Sequence, residues 1–483
     1  MRPYATLPAL ALLAACTVGP DYRTPPATAA DAVARGTFVR AQDPALSSTP
    51  GLAHWWESLA DPTLTGLVRD ALAHNPDVDV AQARIREAMA QLRARQADQA
   101  PSVSASGTYV RGQISGLGGL TGGSDSDSGG NSSATSSLEL YNLGLNASWE
   151  IDLFGGNRRQ LEQSRATLGA RHADLADVQV SLSAQVVQAY VNLRDVQARA
   201  ALNARSIALQ EQALGLMRQR FDRGAASALD LERLRAQLES TRAQAQPLQG
   251  DIDAYRDQLA LLTGRSPGTL DAGLASPMAI PLPPAQVAIG DPAALIAHRP
   301  DIRAAERTLA ASTAAIGVSE ARRFPRLNFL GLLGLGGSSP GDAFDIDNLT
   351  AIAAPMLSWS FLDFGRGVAA VHQSEAQRDQ AEAQYRKAVL AALQDAETSL
   401  SRFGHARLQL ASLARAEQSA ARSAALNDQR VTAGTSALID QLDVERQRLN
   451  AAMALSEGTA ALTNSYVAVQ KSLGLGWTDA PAS

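Results

Sequence analysis

The chain has 483 residues, 45% of them hydrophobic and 19% charged, with a formal net charge of −5. So mild an acidity over this length gives no polyanion-binding signal, and no nucleic acid partner is expected. A single cysteine excludes a disulfide framework and a zinc ribbon, and no apolar run beyond the N-terminus reaches the about 18 residues a membrane-spanning helix needs.

Met1 and Arg2 make a basic start, and residues 7–15 form a short apolar run, too short to cross a bilayer but suited to a secretory signal. The run ends in Leu13, Ala14, Ala15 and Cys16, which resembles the bacterial lipoprotein box. Residues 1–15 are therefore expected to be a signal peptide and Cys16 to be lipidated. Each buried methylene of an acyl chain contributes about 0.8 kcal/mol, which ties the mature N-terminus to lipid. An N-terminal arm is expected over 16–60.

From there the chain says nearly the same thing twice. LAHNPDV at 72–78 returns as IAHRPDI at 296–302, an offset of 224, the separation of His74 and His298, and Pro101 returns as Pro325. After that the offset is 210: Trp149 matches Trp359, Phe154 and Gly155 match Phe364 and Gly365, and Gly264 matches Gly474. A gap of 14 residues in the Gly/Ser/Asp tract at 112–137 reconciles the two offsets. Tandem copies at 61–275 and 276–475, with a tail at 476–483, point to a pseudo-symmetric architecture.

In the first copy a helix over 61–73 is broken by Asn75 and Pro76, and a second runs to about 99 before Pro101 stops it. Strands follow at about 102–111 and 139–152. In the latter, Tyr141, Leu143, Leu145, Ala147, Trp149 and Ile151 alternate with polar or small residues, the period of a strand with one apolar face. The second copy answers with strands at about 326–336 and 352–363, where Trp359 and Phe361 alternate with serines. Each is near the ten residues a tilted strand needs to cross a bilayer, with Trp149 and Trp359 at girdle positions.

No proline interrupts 155–221, so a helix about 100 Å long is expected there. Leu161, Leu168, Leu175 and Leu182 recur at heptad spacing, and the return helix carries a/d positions from Leu231 to Leu262, with a local bend expected at Pro247. Helices at 365–431 and 438–473 repeat the arrangement. The hairpin tips are RFDRGAASALD (220–230) and RVTAGTSALID (430–440). Gly224 and Gly434 suit left-handed C-caps, while Ser227 and Ser436 (or Thr435) can accept from the next helix's free N–H groups. Tips so far from the strands also suit a docking end.

The L-A-A-C ending followed by TVGPDY, the H-x-P-D elements, the paired W-x-x-x-x-F-G strand ends and the R-x-x-x-G tips resemble the TolC-like outer membrane factors. Within them the match is to the lipoprotein branch, NodT/OprM-like, of RND-type tripartite efflux systems, and it runs colinearly over the mature chain. The resemblance implies a mixed α/β membrane protein with a two-fold internal repeat. It further implies a homotrimer with a long coiled-coil periplasmic α-barrel, each protomer giving four strands to a shared 12-stranded β-barrel. Implied partners are a periplasmic adaptor (membrane fusion) protein, an inner membrane RND-type pump and outer membrane lipid. The adaptor would meet the tips at Arg220, Gly224, Ser227, Arg430, Gly434 and Ser436. A periplasmic gate is carried over onto Ile439, Asp443 and Arg446, with Asp440 and Asp230 as further acidic candidates. Three copies of a carboxylate would form a cation-attracting iris, whereas alone Asp443 reads as a solvated helix position paired with Arg446 at i+3.

The expected function is the passive exit duct of an efflux pump for drugs or other small toxic compounds. Metal-ion efflux and type I protein secretion are alternatives within the same architecture, and a periplasmic adaptor or a structural coiled-coil lipoprotein is the alternative of another class. The six histidines are scattered, and no phosphate loop, nucleophile elbow or metal-spaced cluster is found. No enzyme activity, cofactor or metal is expected.

Overall fold

A computed structural model describes residues 17–25, 27–115 and 135–478. Cys16 and most of the Gly/Ser/Asp tract lie outside the described residues. In chain order the elements are α1 (Ala30–Arg35), β1 (Leu46–Ser47), α2 (Pro62–His74), α3 (Pro76–Ala97), β2 (Ser102–Ser115), β3 (Thr135–Ile151), α4 (Gly156–Asp222) and α5 (Ala228–Leu262). The second half holds β4 (Val287–Ala288), α6 (Pro292–His298), α7 (Pro300–Ala321), β5 (Arg326–Gly337), β6 (Leu349–Ser358), α8 (Arg366–Thr432) and α9 (Leu438–Ser472).

The duplication is written into these bounds. Helices α3 and α7 are both 22 residues and start 224 positions apart. Helices α4 and α8 are both 67 residues, α5 and α9 both 35, and each pair starts 210 positions apart. Helix α5 continues through Pro247.

The chain forms two compact units interleaved in sequence. The first takes Met1–Thr24, Glu87–Leu168 and Arg307–Glu382. Its centre is an antiparallel sheet in the order β2-β3-β5-β6, with Leu145 opposite Leu333 and Trp149 opposite Phe329 across the middle pair. Val103, Tyr109, Leu143, Leu145, Leu333 and Leu357 stand on one face of this sheet and are all exposed. So contiguous an apolar face is a lipid-facing or interface surface. Each tryptophan at a strand end closes a helix terminus: the Trp149 indole donates to the Gln99 carbonyl at 3.1 Å, and the Trp359 indole to that of Arg323 at 3.0 Å. No described helix is long and apolar enough to cross a membrane.

The fourth strand corrects the sequence expectation. It spans Leu349–Ser358, not 352–363. It passes through Pro355, which has no N–H to give a ladder, and within the single chain it is the sheet's edge strand. It ends at Ser358 because its partner begins there, at Arg326, so Trp359 and Phe361 have no ladder partner among the described residues.

The second unit takes Pro25–Arg86, Gly169–Glu306 and Ala383–Ser483 and holds the main core. Trp55, Leu64, Val68, Val187, Leu193, Leu259, Leu400 and Val467 are among its buried residues. At its heart lies a polar network. Asp61 caps α2 by accepting from Thr63 and Leu64 backbone N–H groups at 2.9 and 3.0 Å, and its other oxygen accepts from the Tyr190 hydroxyl at 2.6 Å. Arg194, 1% exposed, sits 4.7 Å over the Tyr190 ring and donates to Gln197 and to the Ser276 carbonyl. Burial first, and then the bond to Asp61, push the Tyr190 hydroxyl up to about 12. A buried group so thoroughly bonded fixes where α2, α4 and the linker after α5 meet.

Candidate functional site

Both hairpin tips are closed by the same backbone device. At the first, the Gly224 N–H bonds the Phe221 carbonyl at 2.8 Å and the Ala225 N–H bonds that of Arg220 at 2.8 Å. At the second, Gly434 bonds Val431 at 2.9 Å and Thr435 bonds Arg430 at 2.8 Å. This nested pair needs a left-handed residue, and both glycines have φ of +73°. The tip arginines thus contribute their carbonyls to the cap, leaving exposed guanidinium side chains.

The two tips differ at the helix that follows. Ser227 caps α5, accepting from the Asp230 N–H at 3.1 Å and donating to the Asp230 carboxylate at 2.7 Å. Ser436 does not cap α9, as its sequence position suggested. It donates instead to Asn427 Oδ1 at 2.9 Å, across the hairpin, and the N-cap position is taken by Ala437. Thr435 likewise turns back, donating to the Arg430 carbonyl at 3.1 Å. The one-residue shift of the cap to Ala437 leaves α9 without a side-chain cap.

Past the second tip, Asp443 accepts from Arg446 at 2.6 Å and from Gln447 at 2.8 Å. The Arg446 bond holds its carboxyl below the usual range, so it is ionised at neutral pH. Half of each side chain is exposed, and such pairs contribute only a few tenths of a kcal/mol. Asp440 is exposed, and the Ile439 side chain lies outside the described residues. A groove of about 550 Å³ runs above the tips, lined by Leu209 and Leu216 of α4, Ala424 and Asp428 of α8, and Leu442 and Arg448 of α9. Asp428 accepts from Gln441 across it, and Arg448 pairs with Glu445.

Two groups escaped the sequence. Asp195 of α4 accepts from Ser456 of α9 at 2.7 Å and meets Arg199, which also pairs with Glu457 at 2.8 Å. Burial pushes the Asp195 carboxyl up. In the first unit, Arg159 is buried and holds the segment just after Cys16. It donates to the Val18 and Gly19 carbonyls at 3.1 and 2.9 Å and pairs with Asp21 at 2.7 Å and Glu162 at 2.8 Å. Gly19 lies so close to Gly317 that an added Cβ would stand 2.4 Å from its Cα. Nothing in the heptads announces this contact, since its partners are about 140 residues apart. Among the described residues no cluster of histidine and carboxylate side chains could hold a metal.

The model of the family described as outer membrane efflux protein matches residues 67–265 and 292–475. Nodulation protein T of Rhizobium leguminosarum bv. trifolii is 28% identical over 96% of each chain. The toluene efflux pump outer membrane protein TtgC of Pseudomonas putida is 29% identical, over 96% of this chain and 94% of its own. Among solved structures, the outer-membrane channel OprN superposes with a TM-score of 0.84 at 35% identity, covering 96% of this chain and all of its own.

Proposed function

The chain belongs to the outer membrane efflux protein family, and from that premise we propose that three copies form the exit duct of a tripartite pump exporting drugs or other small toxic compounds. The observation that carries this reading is an antiparallel sheet of four strands with two open edges and an exposed apolar face, in the same chain as two 67-residue helices. Open edges cannot stand in hydrocarbon, and the smallest membrane barrels have about eight strands, so other copies must close this one. Three copies give twelve strands. The duplicated hairpins supply the periplasmic wall, and their tips, with exposed Arg220 and Arg430, offer the docking end for a periplasmic adaptor and its RND-type inner membrane pump. Lipid on Cys16 anchors the arm that Arg159 holds. A ring of Asp443 carboxylates makes the narrowest point of the duct selective for cations.

The duct is a passive conduit, and the pump chooses the cargo. The test is fractionation with mass measurement. A heat-modifiable oligomer of three chains, in the outer membrane fraction and co-purifying with an adaptor, supports the reading. A monomer in the soluble periplasm overturns it.

A further inference from the structure

The segment that follows Cys16 is fastened from its first described residue. The Val18 N–H donates to the Phe154 carbonyl at 3.1 Å. Arg159, whose side chain is 4% exposed, donates to the Val18 and Gly19 carbonyls and pairs with Asp21. A Cβ at Gly155, where φ is +77°, would stand 2.6 Å from Thr17 Cγ2, so this turn closes directly on the segment. The Arg307 guanidinium stands 5.8 Å over the Tyr22 ring. Cys16 is one Cα step of about 3.8 Å from this clip, so whatever it carries begins beside Phe154. Phe154 stacks on Phe324 with ring centroids 4.6 Å apart. The two rings stand just past the last rung of the β3–β5 seam, Ile151 opposite Leu327, and above them on the apolar face come exposed Trp149, Phe329, Leu145 and Leu333. We propose that the acyl chains on Cys16 are seated on their own protein: they cross the Phe154–Phe324 pair and lie along the β3–β5 seam as far as Leu145 and Leu333, held in place by the Arg159 clip.

Two independent observations agree with this seat. The first is its reach. Leu145 and Leu333 stand six residues up the seam from Ile151 and Leu327. At about 3.3 Å per residue and a strand tilt near 40°, that is about 15 Å of depth, half of the roughly 30 Å hydrocarbon core and the share of one leaflet. The second is an asymmetry between repeat mates. The Phe-Gly turn occurs twice, at 154–155 and 364–365, but the clip and the second ring occur once. The mate of Arg159 is Ala369, that of Phe324 is Ala100 and that of Gly317 is Arg93. Gly317 belongs to the clip because a Cβ there would stand 2.8 Å from Arg159 Cγ. Phe364, the mate of Phe154, is 87% exposed. A chain has one N-terminus, and only the junction that meets it carries the arginine, the stacked ring and the bare glycine. A surface built for bulk lipid has no need of that difference.

The seat rests on the reading that Cys16 is acylated and that the sheet faces lipid, and the experiment keeps these apart. Photoreactive benzoylphenylalanine replaces Phe329 on the seam or, in separate variants, Val103 of β2 or Ala353 of β6, which share one rung on the flanking strands. Membranes are irradiated and the protein is digested. Mass spectrometry then distinguishes an adduct with the acylated N-terminal peptide from one with a phospholipid. Neighbouring strands lie about 4.8 Å apart, so the N-terminal lipopeptide should be caught from Phe329 about five-fold more than from either flanking strand. Asp21→Asn, which loosens the clip at an exposed side chain, should lower that yield about two-fold, and Arg159→Ala should bring it to the flanking level, both with acylation unchanged. Phospholipid alone caught at all three positions, on protein acylated at Cys16, overturns the seat and leaves the anchor standing. Lipopeptide caught equally from all three, or as well in the two clip variants, overturns it too. An unacylated Cys16, or no lipid adduct at any position, overturns the seat together with the reading beneath it.

Discussion

Arg299 donates to the carbonyl oxygen of Ser472 at 2.7 Å, closing the C-terminus of α9. The bond has a mate in the first repeat, where the Asn75 amide donates to the carbonyl of Leu262 at 2.9 Å and closes α5. Both acceptors are the last residues of their return helices. The glycine two positions on, Gly264 or Gly474, is left-handed and packs against the donor's own turn. Arg299 adds pairs with Asp301 and Asp395 at 2.9 and 3.1 Å. Hydrogen bonds to a charged group contribute roughly 1.5–3 kcal/mol and neutral ones about 1, so Arg299→Ala should destabilise more than Asn75→Ala. Unfolding temperatures of the extracted protein check the order, and equal losses would show that the ion pairs add nothing to the shared cap.

The tip glycines have open space around a prospective Cβ but a φ of +73°. Gly224→Ala and Gly434→Ala should therefore cost about 1–2 kcal/mol each through backbone conformation alone. Ser227→Ala should cost about 1 kcal/mol through its lost cap, and Ser436→Ala less, because Ser436 caps nothing. The loss should fall on adaptor capture before it falls on assembly. Pull-down with the adaptor, measured beside trimer yield, separates the two, and Ser436→Ala proving more costly than Ser227→Ala would contradict the capping geometry.

Alkaline stability should report Tyr190. Burial and the bond to Asp61 push its hydroxyl up to about 12, above the ordinary 10.0 of tyrosine. The folded state thus keeps the proton over a range where the unfolded chain releases it, and stability falls as pH rises through that window. A shift of that size corresponds to about 2–3 kcal/mol. Melting curves from pH 9 to 12 should decline less steeply in Tyr190→Phe, which is also weaker at neutral pH by roughly 1–3 kcal/mol because Asp61 loses a donor. Parallel declines in the two proteins would remove Tyr190 as the group responsible.

Cys16→Ala should abolish acyl labelling of the mature protein and leave sheet and hairpins intact, since neither uses that residue. Mass spectrometry of the wild-type N-terminus decides, and an unmodified Cys16 there would end the lipoprotein reading. Arg159→Ala, with lipidation unchanged, should expose the segment around Asp21 to proteolysis.

Much of this architecture was legible because its determinants are local. Helices of 67 residues follow from long stretches without a breaker, and the hairpin turns from Gly224 and Gly434 with their known conformational need. The end of β6 was not legible, because it is set by where β5 begins, and Pro355 argues against a strand unless the strand is known to lie at an edge. Ser227 and Ser436 sit in similar local sequence, but the offset of 210 sets Ala437 opposite Ser227, so Ser436 falls one position short of the cap and bonds Asn427 across the hairpin instead. The Asp61–Tyr190 bond spans 129 residues. Pairings of that range leave no periodic trace, so the buried network and the Arg159 contact became visible only in three dimensions.

The most direct test of the central claim is electrical. Purified protein reconstituted in a planar bilayer should give discrete, cation-preferring conductance steps. Asp443→Ala should raise single-channel conductance and lower the cation preference, because it removes a carboxylate that Arg446 holds ionised. Asp98→Ala, which breaks only a surface pair with Arg95 at the end of α3, should change neither. Identical traces from wild type and Asp443→Ala would return Asp443 to an ordinary solvated helix position. Trimers that insert yet pass no current in any of the three forms would contradict the duct itself.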